Sequence, residues 1–168
     1  MAAAVPDGRV IGDLNVDKYT DAPWIATVRK IIPAPAGDVW STLVEEERMR
    51  DWASMVRRVE FDNSNSAVPG EIGSGSVRIF TLVGGLRTLE LIQLWEPPHR
   101  FAYTTFGIPL VRGQLGIFEV ESLNDRSAAF TIHQFVHVPR PLRPLLRAIL
   151  ERLANRFVGL FEANGSTG

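Results

Sequence analysis

Residues 142–165, "LRPLLRAILERLANRFVGLFEANG", decide how this chain must fold. Leu142, Leu145, Leu146, Ile149, Leu150, Leu153, Phe157, Leu160 and Phe161 recur at helical spacing. They predict a helix of about six turns, roughly 30 Å long at about 1.5 Å per residue. Asn164-Gly165 supplies a C-terminal stop, and Arg147, Glu151, Arg152, Asn155 and Arg156 take the polar side. An apolar stripe of that length needs a broad apolar surface to cover it.

The preceding sequence offers such a surface. "VRRVEFD" (56–62), "GSVRIFTLVGG" (75–85), "LRTLELIQLWEPP" (86–98), "HRFAYTTFG" (99–107), "GQLGIFEVESLN" (113–124) and "SAAFTIHQFVHVP" (127–139) have strand length and β-branched or aromatic content. Turn material separates them, including "NSNSAVPGEIGSG", "GG", "PP" and "NDR". Consecutive strands with short connections predict an antiparallel meander. "WIATVRKII" (24–32), bounded by Pro23 and Pro33, is a further strand. After it, Val39, Trp40, Leu43 and Val44 form one helical stripe, and Met49, Trp52, Met55 and Val56 form another beyond the acidic break at 45–47. Pro35 suits a first helical turn, although Ala34 leaves that start without a side-chain cap. Residues 1–20 read as an arm or tail, and 21–165 as one domain. No internal repeat is present.

Composition narrows the function classes. The chain has 168 residues, 45% of them apolar, which is enough for one real core. Its 18 basic residues nearly balance 19 acidic ones, so no general attraction to nucleic acid is built in. There is no cysteine, which removes disulfides, thiolate chemistry and Cys-based zinc sites and suits a reducing cytoplasm. The N-terminus lacks the pattern of a signal peptide, and no stretch is apolar for the roughly 18 residues of a membrane span. A soluble cytoplasmic domain is expected. No GxSxG, HExxH or phosphate-cradling glycine motif occurs.

The order of elements, together with "APAGDVWSTLVEEERMRDWASMVRRVE", "GEIGSGSVRI" and "LWEPPHRFAY", resembles the helix-grip superfamily of START lipid-transfer domains, the birch-pollen allergen and polyketide cyclase/dehydrase-like proteins, often called SRPBCC. The similarity is greatest to the polyketide cyclase/dehydrase-like branch and covers most of residues 24–163. It implies an α+β fold: a curved antiparallel sheet of about seven strands wrapped around a long C-terminal helix, with two short helices after the first strand. It also implies a hydrophobic pocket between sheet and helix. Members of the superfamily carry lipids, hormones, quinones or polyketides, and some catalyse cyclisation or dehydration. The basic segment "RPLRPLLR" entering the last helix departs from the usual pattern.

Candidate residues follow from strand parity. In "FTIHQFVHVP" (130–139), Phe130, Ile132, Gln134 and Val136 share the more apolar face and should point inward. His133 and His137 then point outward to solvent, about 13 Å apart at about 3.3 Å per residue, too far to share one metal. No metal site and no cofactor is expected. Gln134 is either a buried amide satisfied by backbone or a pocket donor for a ligand carbonyl. Tyr103, on the inner parity with Phe101, reads as a core tyrosine whose hydroxyl could also meet a ligand. Glu90 reads as exposed, because Leu89, Leu91 and Trp95 make the opposite face equally apolar; the inward alternative would give a desolvated carboxylate suited to proton transfer. Trp52 and Met55 fall where helix-grip proteins place a short helix over the cavity mouth. The expected pocket set is Trp52, Met55, Phe80, Leu82, Ile92, Phe101, Tyr103, Phe118, Ile132, Gln134, Leu150, Leu153 and Phe157. Arg140, Arg143, Arg147, Arg152 and Arg156 form a basic strip, read as a solvated face, with contact to an anionic membrane surface as the alternative.

Three functions remain open at this level. The first is binding or transport of a small hydrophobic molecule such as a lipid, quinone, polyketide or aromatic metabolite. The second is a cyclase or dehydratase using Tyr103, Gln134 and Glu90. The third is a protein-interaction module.

Overall fold

The computed structural model describes residues 9–165. Its first elements are two short strands, β1 (Val10–Ile11) and β2 (Leu14–Asn15), which pair with each other ahead of a 3-10 turn at Val16–Lys18. Next come β3 (Trp24–Ile32), α1 (Ala36–Val44) and α2 (Glu46–Trp52). Six strands follow: β4 (Val56–Asp62), β5 (Val77–Leu82), β6 (Arg87–Glu96), β7 (Arg100–Phe106), β8 (Arg112–Asn124) and β9 (Ser127–His137). A 3-10 turn at Arg140–Leu142 leads into α3 (Arg143–Gly165).

The main sheet has seven strands in the order β3-β9-β8-β7-β6-β5-β4, every neighbouring pair antiparallel. It is the expected meander, with β3 added at the free edge of β9. Together with α1, α2 and the long α3, this is the helix-grip architecture. Two boundaries differ from the sequence reading. Helix α2 ends at Trp52, and Val56 already begins β4, so Met55 lies in the connection and is 61% exposed. Helix α1 takes Pro35 as its cap residue, without any side-chain cap bond; a proline has no side-chain acceptor to offer the orphan N–H groups.

The core lies between the inner face of the sheet and the helices. Phe130, Ile132, Val136, Leu150, Ala154 and Phe157 are buried there. Each fully buried side chain of this size contributes about 1.5–3 kcal/mol of transfer free energy. A row of rings crosses the sheet from β7 to α3: Tyr103–Phe118 at 5.6 Å, Phe118–Phe130 at 5.6 Å and Phe130–Phe157 at 4.7 Å between centroids. Helix α3 is pinned along β3 by an ion pair of Lys30 with Glu151 and by Arg147 Nε donating to the Ile25 carbonyl at 2.8 Å.

The outer face of the sheet is not simply a solvent face. Residues 9–20, expected as an arm or tail, lie across it. Ile11, Leu14, Val16 and Ala22 are buried against Ala102, Leu115, Ile117 and Phe135 in a second apolar cluster. Arg9 caps this arrangement through the Ala22 carbonyl and Asp17. The expectation that both outward histidines are solvated therefore needs correction. His137 is exposed and bonds Asp21 at 3.1 Å. His133 is only 8% exposed, held between Thr27 Oγ1 at 3.0 Å and Glu119 Oε2 at 2.9 Å. Among the described residues, no helix is long and apolar enough to cross a membrane.

Candidate functional site

A cavity of about 220 Å³ lies on the inner face, displaced from α3 toward α2 and strands β4–β8. This displacement has a packing cause. Beside α3 the space is filled by Phe130, Ile132, Leu150 and Phe157, whereas farther along the sheet α3 contributes only Leu153 to the wall. Met49 and Trp52 of α2, with Ala53 just after it, close one side, and Trp52 is fixed by its indole N–H donating to the Thr42 carbonyl at 3.1 Å.

The expected pocket residues separate into two groups. Trp52, Phe80, Leu82, Phe101, Tyr103, Phe118 and Leu153 do line the cavity. Ile92, Ile132, Leu150 and Phe157 are buried in the core beside it, and Met55 stands outside the wall. Gln134 is buried with neither side-chain heteroatom bonded, yet it does not line the cavity either.

Glu90, read as exposed, instead points into the cavity. It sits directly across from Arg78 in the β5–β6 ladder, and Arg78 Nε donates to Glu90 Oε2 at 3.0 Å while Nη2 donates to the same oxygen. Their side chains are 5% and 15% exposed, so this is a buried ion pair in an apolar chamber. Two features of β6 hid that orientation. A bulge at Gln93 shifts the parity, so Ile92 opposes Tyr103 and Trp95 opposes Phe101, all on the inner face despite their odd spacing. The hairpin loop is also one residue longer than "GG" alone, with Leu82 N–H donating to the Leu86 carbonyl.

Arg78 was not among the expected site residues. Its guanidinium lies 5.0 Å from the Phe101 ring centre, 5.3 Å from Phe80 and 5.4 Å from Tyr103, within cation–π range of each. A parity signal for it existed, since Arg78 alternates with Phe80 and Leu82. Thr88, Thr105 and Gln114 also line the cavity; Thr105 carried the same signal, since it alternates with Phe101 and Tyr103.

Burial pushes the Glu90 carboxyl above the ordinary glutamate value, and the Arg78 charge opposes that shift without cancelling it. Burial likewise raises the Tyr103 phenol, and the nearby Glu90 charge adds to the rise while Arg78 opposes it. Tyr103 therefore stays a neutral hydroxyl, able to donate or accept. It makes no hydrogen bond to another described residue, and the buried Thr105 Oγ1 has none either. Gly116 makes room for Tyr103: a Cβ there would lie 2.4 Å from Tyr103 Cζ. The site thus offers unspent donors and acceptors among the aromatic side chains of the chamber. Among the described residues, no cluster of three potential metal ligands exists.

Comparison with known proteins agrees with this architecture. A START-superfamily protein from Mycobacterium smegmatis superposes with a TM-score of 0.64 at 16% identity, over 84% of this chain and 99% of that one. XoxI from Bacillus cereus gives 0.65 at 13% identity, over 81% and 94%. Norcoclaurine synthase from Thalictrum flavum, solved with dopamine and hydroxybenzaldehyde, gives 0.59 at 18% identity, over 95% and 96%. At these identities the likeness is one of fold. No curated protein matches the chain in sequence. Residues 23–163 match the sequence pattern described as polyketide cyclase / dehydrase and lipid transport, and the chain belongs to that family.

Proposed function

We propose that this protein binds a small hydrophobic ligand carrying a polar oxygen group, with the ligand body against Trp52, Phe80, Phe101 and Phe118. The observation that carries the reading is the buried Arg78–Glu90 pair facing an apolar chamber beside the unbonded Tyr103 and Thr105 hydroxyls. Buried polar groups left without partners are costly, and a ligand oxygen would supply the missing bonds. The cavity is smaller than the roughly 300–1,000 Å³ of drug-sized sites, which favours a compact molecule over a whole phospholipid.

Calorimetric titration with 2-naphthol, an apolar bicycle with one hydroxyl, tests this reading, alongside native mass spectrometry of the purified protein. Saturable binding that is abolished by Thr105→Trp, which fills the chamber, is the expected result. A ligand-free protein that binds neither 2-naphthol nor any other small apolar compound would remove the proposal.

A second reading has its own support. Glu90 is a carboxylate with a raised proton affinity beside a neutral phenol, the arrangement that proton-transfer chemistry uses. A cyclase or dehydratase would need those two groups in turnover. Glu90→Gln and Tyr103→Phe, assayed separately for binding and for conversion of a polyketide-like substrate, distinguish the readings: unchanged conversion in both eliminates the enzyme.

A further inference from the structure

The connections at one end of the sheet share two properties. The α2–β4 link, the β5–β6 hairpin, the β7–β8 loop and the β9–α3 link all meet there, because β4, β6 and β8 begin at that end and β5, β7 and β9 finish at it. Val56, Leu82, Thr88, Ile108 and Gln114 bring the cavity to the same end.

The first property is exposed apolar side chains. Met55, Val83, Leu86, Phe106, Leu110 and Leu145 project there, Leu110 being 72% exposed and Leu145 58%. Backbone bonds tie them together: Val83 N–H donates to the Met55 carbonyl at 2.8 Å, and Phe106 pairs with Leu89 across the ladder. Leu110 holds this position at φ +65°, a backbone conformation that leucine rarely adopts. A strained and solvated leucine gives the fold itself little in return.

The second property is charge. Residues 53–59, 79–89, 97–118 and 137–150 contain no Asp or Glu. Arg87, Arg112 and Arg140 stand in them without an ion-pair partner among the described residues. Two carboxylates border this end: Asp21, which His137 holds, and Asp51 in the last turn of α2. In a chain whose net charge is −1, this end is segregated as basic and apolar.

We propose that this end is a docking surface for an anionic lipid bilayer, with the cavity mouth facing the membrane. Exposed apolar side chains carried on separate loops suit insertion among acyl chains, and the unpaired guanidiniums suit anionic headgroups. A protein partner would have to match both the scattered apolar tips and the separate guanidiniums; a bilayer offers counterparts to both everywhere on its surface.

Co-sedimentation with vesicles of phosphatidylcholine, with and without phosphatidylglycerol, tests the proposal independently of what the cavity holds. Binding to the anionic vesicles should appear at low salt and weaken as salt rises. Arg87→Ala with Arg140→Ala should lower it about 25-fold, at about fivefold per arginine near the surface. Leu110→Asn, which tolerates the left-handed backbone, combined with Leu145→Gln should lower it while leaving 2-naphthol titration unchanged. Absence of binding to anionic vesicles at low salt overturns the proposal, as does binding indifferent to these variants. Self-association abolished by Leu110→Asn/Leu145→Gln, without vesicle binding, would instead make the face a contact between copies of the chain and would also overturn it.

Discussion

Replacing Arg78 by methionine should destabilise the fold in a strongly pH-dependent way. Methionine keeps much of the apolar stem between Phe80, Phe101 and Tyr103 but removes the charge that faces Glu90. Breaking a buried pair typically costs about 3–5 kcal/mol, because the remaining charge has lost its compensation. Glu90 can escape that cost only by taking up a proton. From an ordinary glutamate pKa of about 4.3 to pH 7, at about 1.4 kcal/mol per pH unit, the escape limits the electrostatic loss to about 4 kcal/mol. The sign follows from burial, which already holds the folded-state Glu90 above its unfolded value. In that window the native state binds more protons than the unfolded state, so stability falls as pH rises, and loss of Arg78 extends the window upward. Urea denaturation at about pH 7 should show the variant weakened by about 4 kcal/mol, against about 1 kcal/mol at about pH 4, where the carboxyl is mostly protonated in both states. Arg78→Met/Glu90→Leu should recover most of the loss at the higher pH, since an apolar pair of similar volume is commonly neutral or better. An equal loss at both pH values, or a double variant no better than the single one, would refute a buried and mutually compensating pair.

Other perturbations probe other parts of the molecule. Removal of residues 1–20 should cost several kcal/mol in denaturant unfolding, because it uncovers Leu115, Ile117 and Phe135; unchanged stability would mean that the arm does not pack on the outer face in solution. Gly116→Ala should lower stability by about 1–3 kcal/mol and weaken 2-naphthol binding, since the new methyl group meets the Tyr103 ring; calorimetry and thermal unfolding report both effects. Gln134→Met should raise stability by about 1–3 kcal/mol by removing two unbonded buried heteroatoms. It should leave ligand binding alone, whereas Thr105→Val should stabilise the apoprotein and weaken binding.

The sequence announced its elements more plainly than its faces. The last helix, the two short helices and all seven main strands follow from periodicities that backbone geometry enforces, so they appear close to where the spacing puts them. Orientation within the sheet depends on register, and register depends on turns. A two-residue loop at Gly84-Gly85 would pair Arg78 with Leu91 and turn Glu90 outward. The actual loop spans Val83, Gly84 and Gly85, pairs Arg78 with Glu90 and sends both inward. One residue of loop length therefore decides whether the cavity contains an ion pair. His133 shows the same limit on the other face. Parity places it outward correctly, but nothing local to "FTIHQ" indicates that Thr27 and Glu119 would enclose it.

The interior holds two kinds of unmet polarity, and their locations separate structure from function. Gln134 is an amide among core side chains and takes no part in the cavity wall. Thr105, Tyr103 and the Arg78–Glu90 pair face open space, where a guest could complete their bonding. A chain selected for stability alone would gain by replacing every one of these groups with apolar residues. Polar groups that share one chamber with aromatic rings, Arg78 lying against Phe80, Phe101 and Tyr103, are better explained as recognition than as packing. That is why Arg78, rather than the amide that strand parity first brought forward, is the residue on which a ligand hypothesis for this protein should be tried.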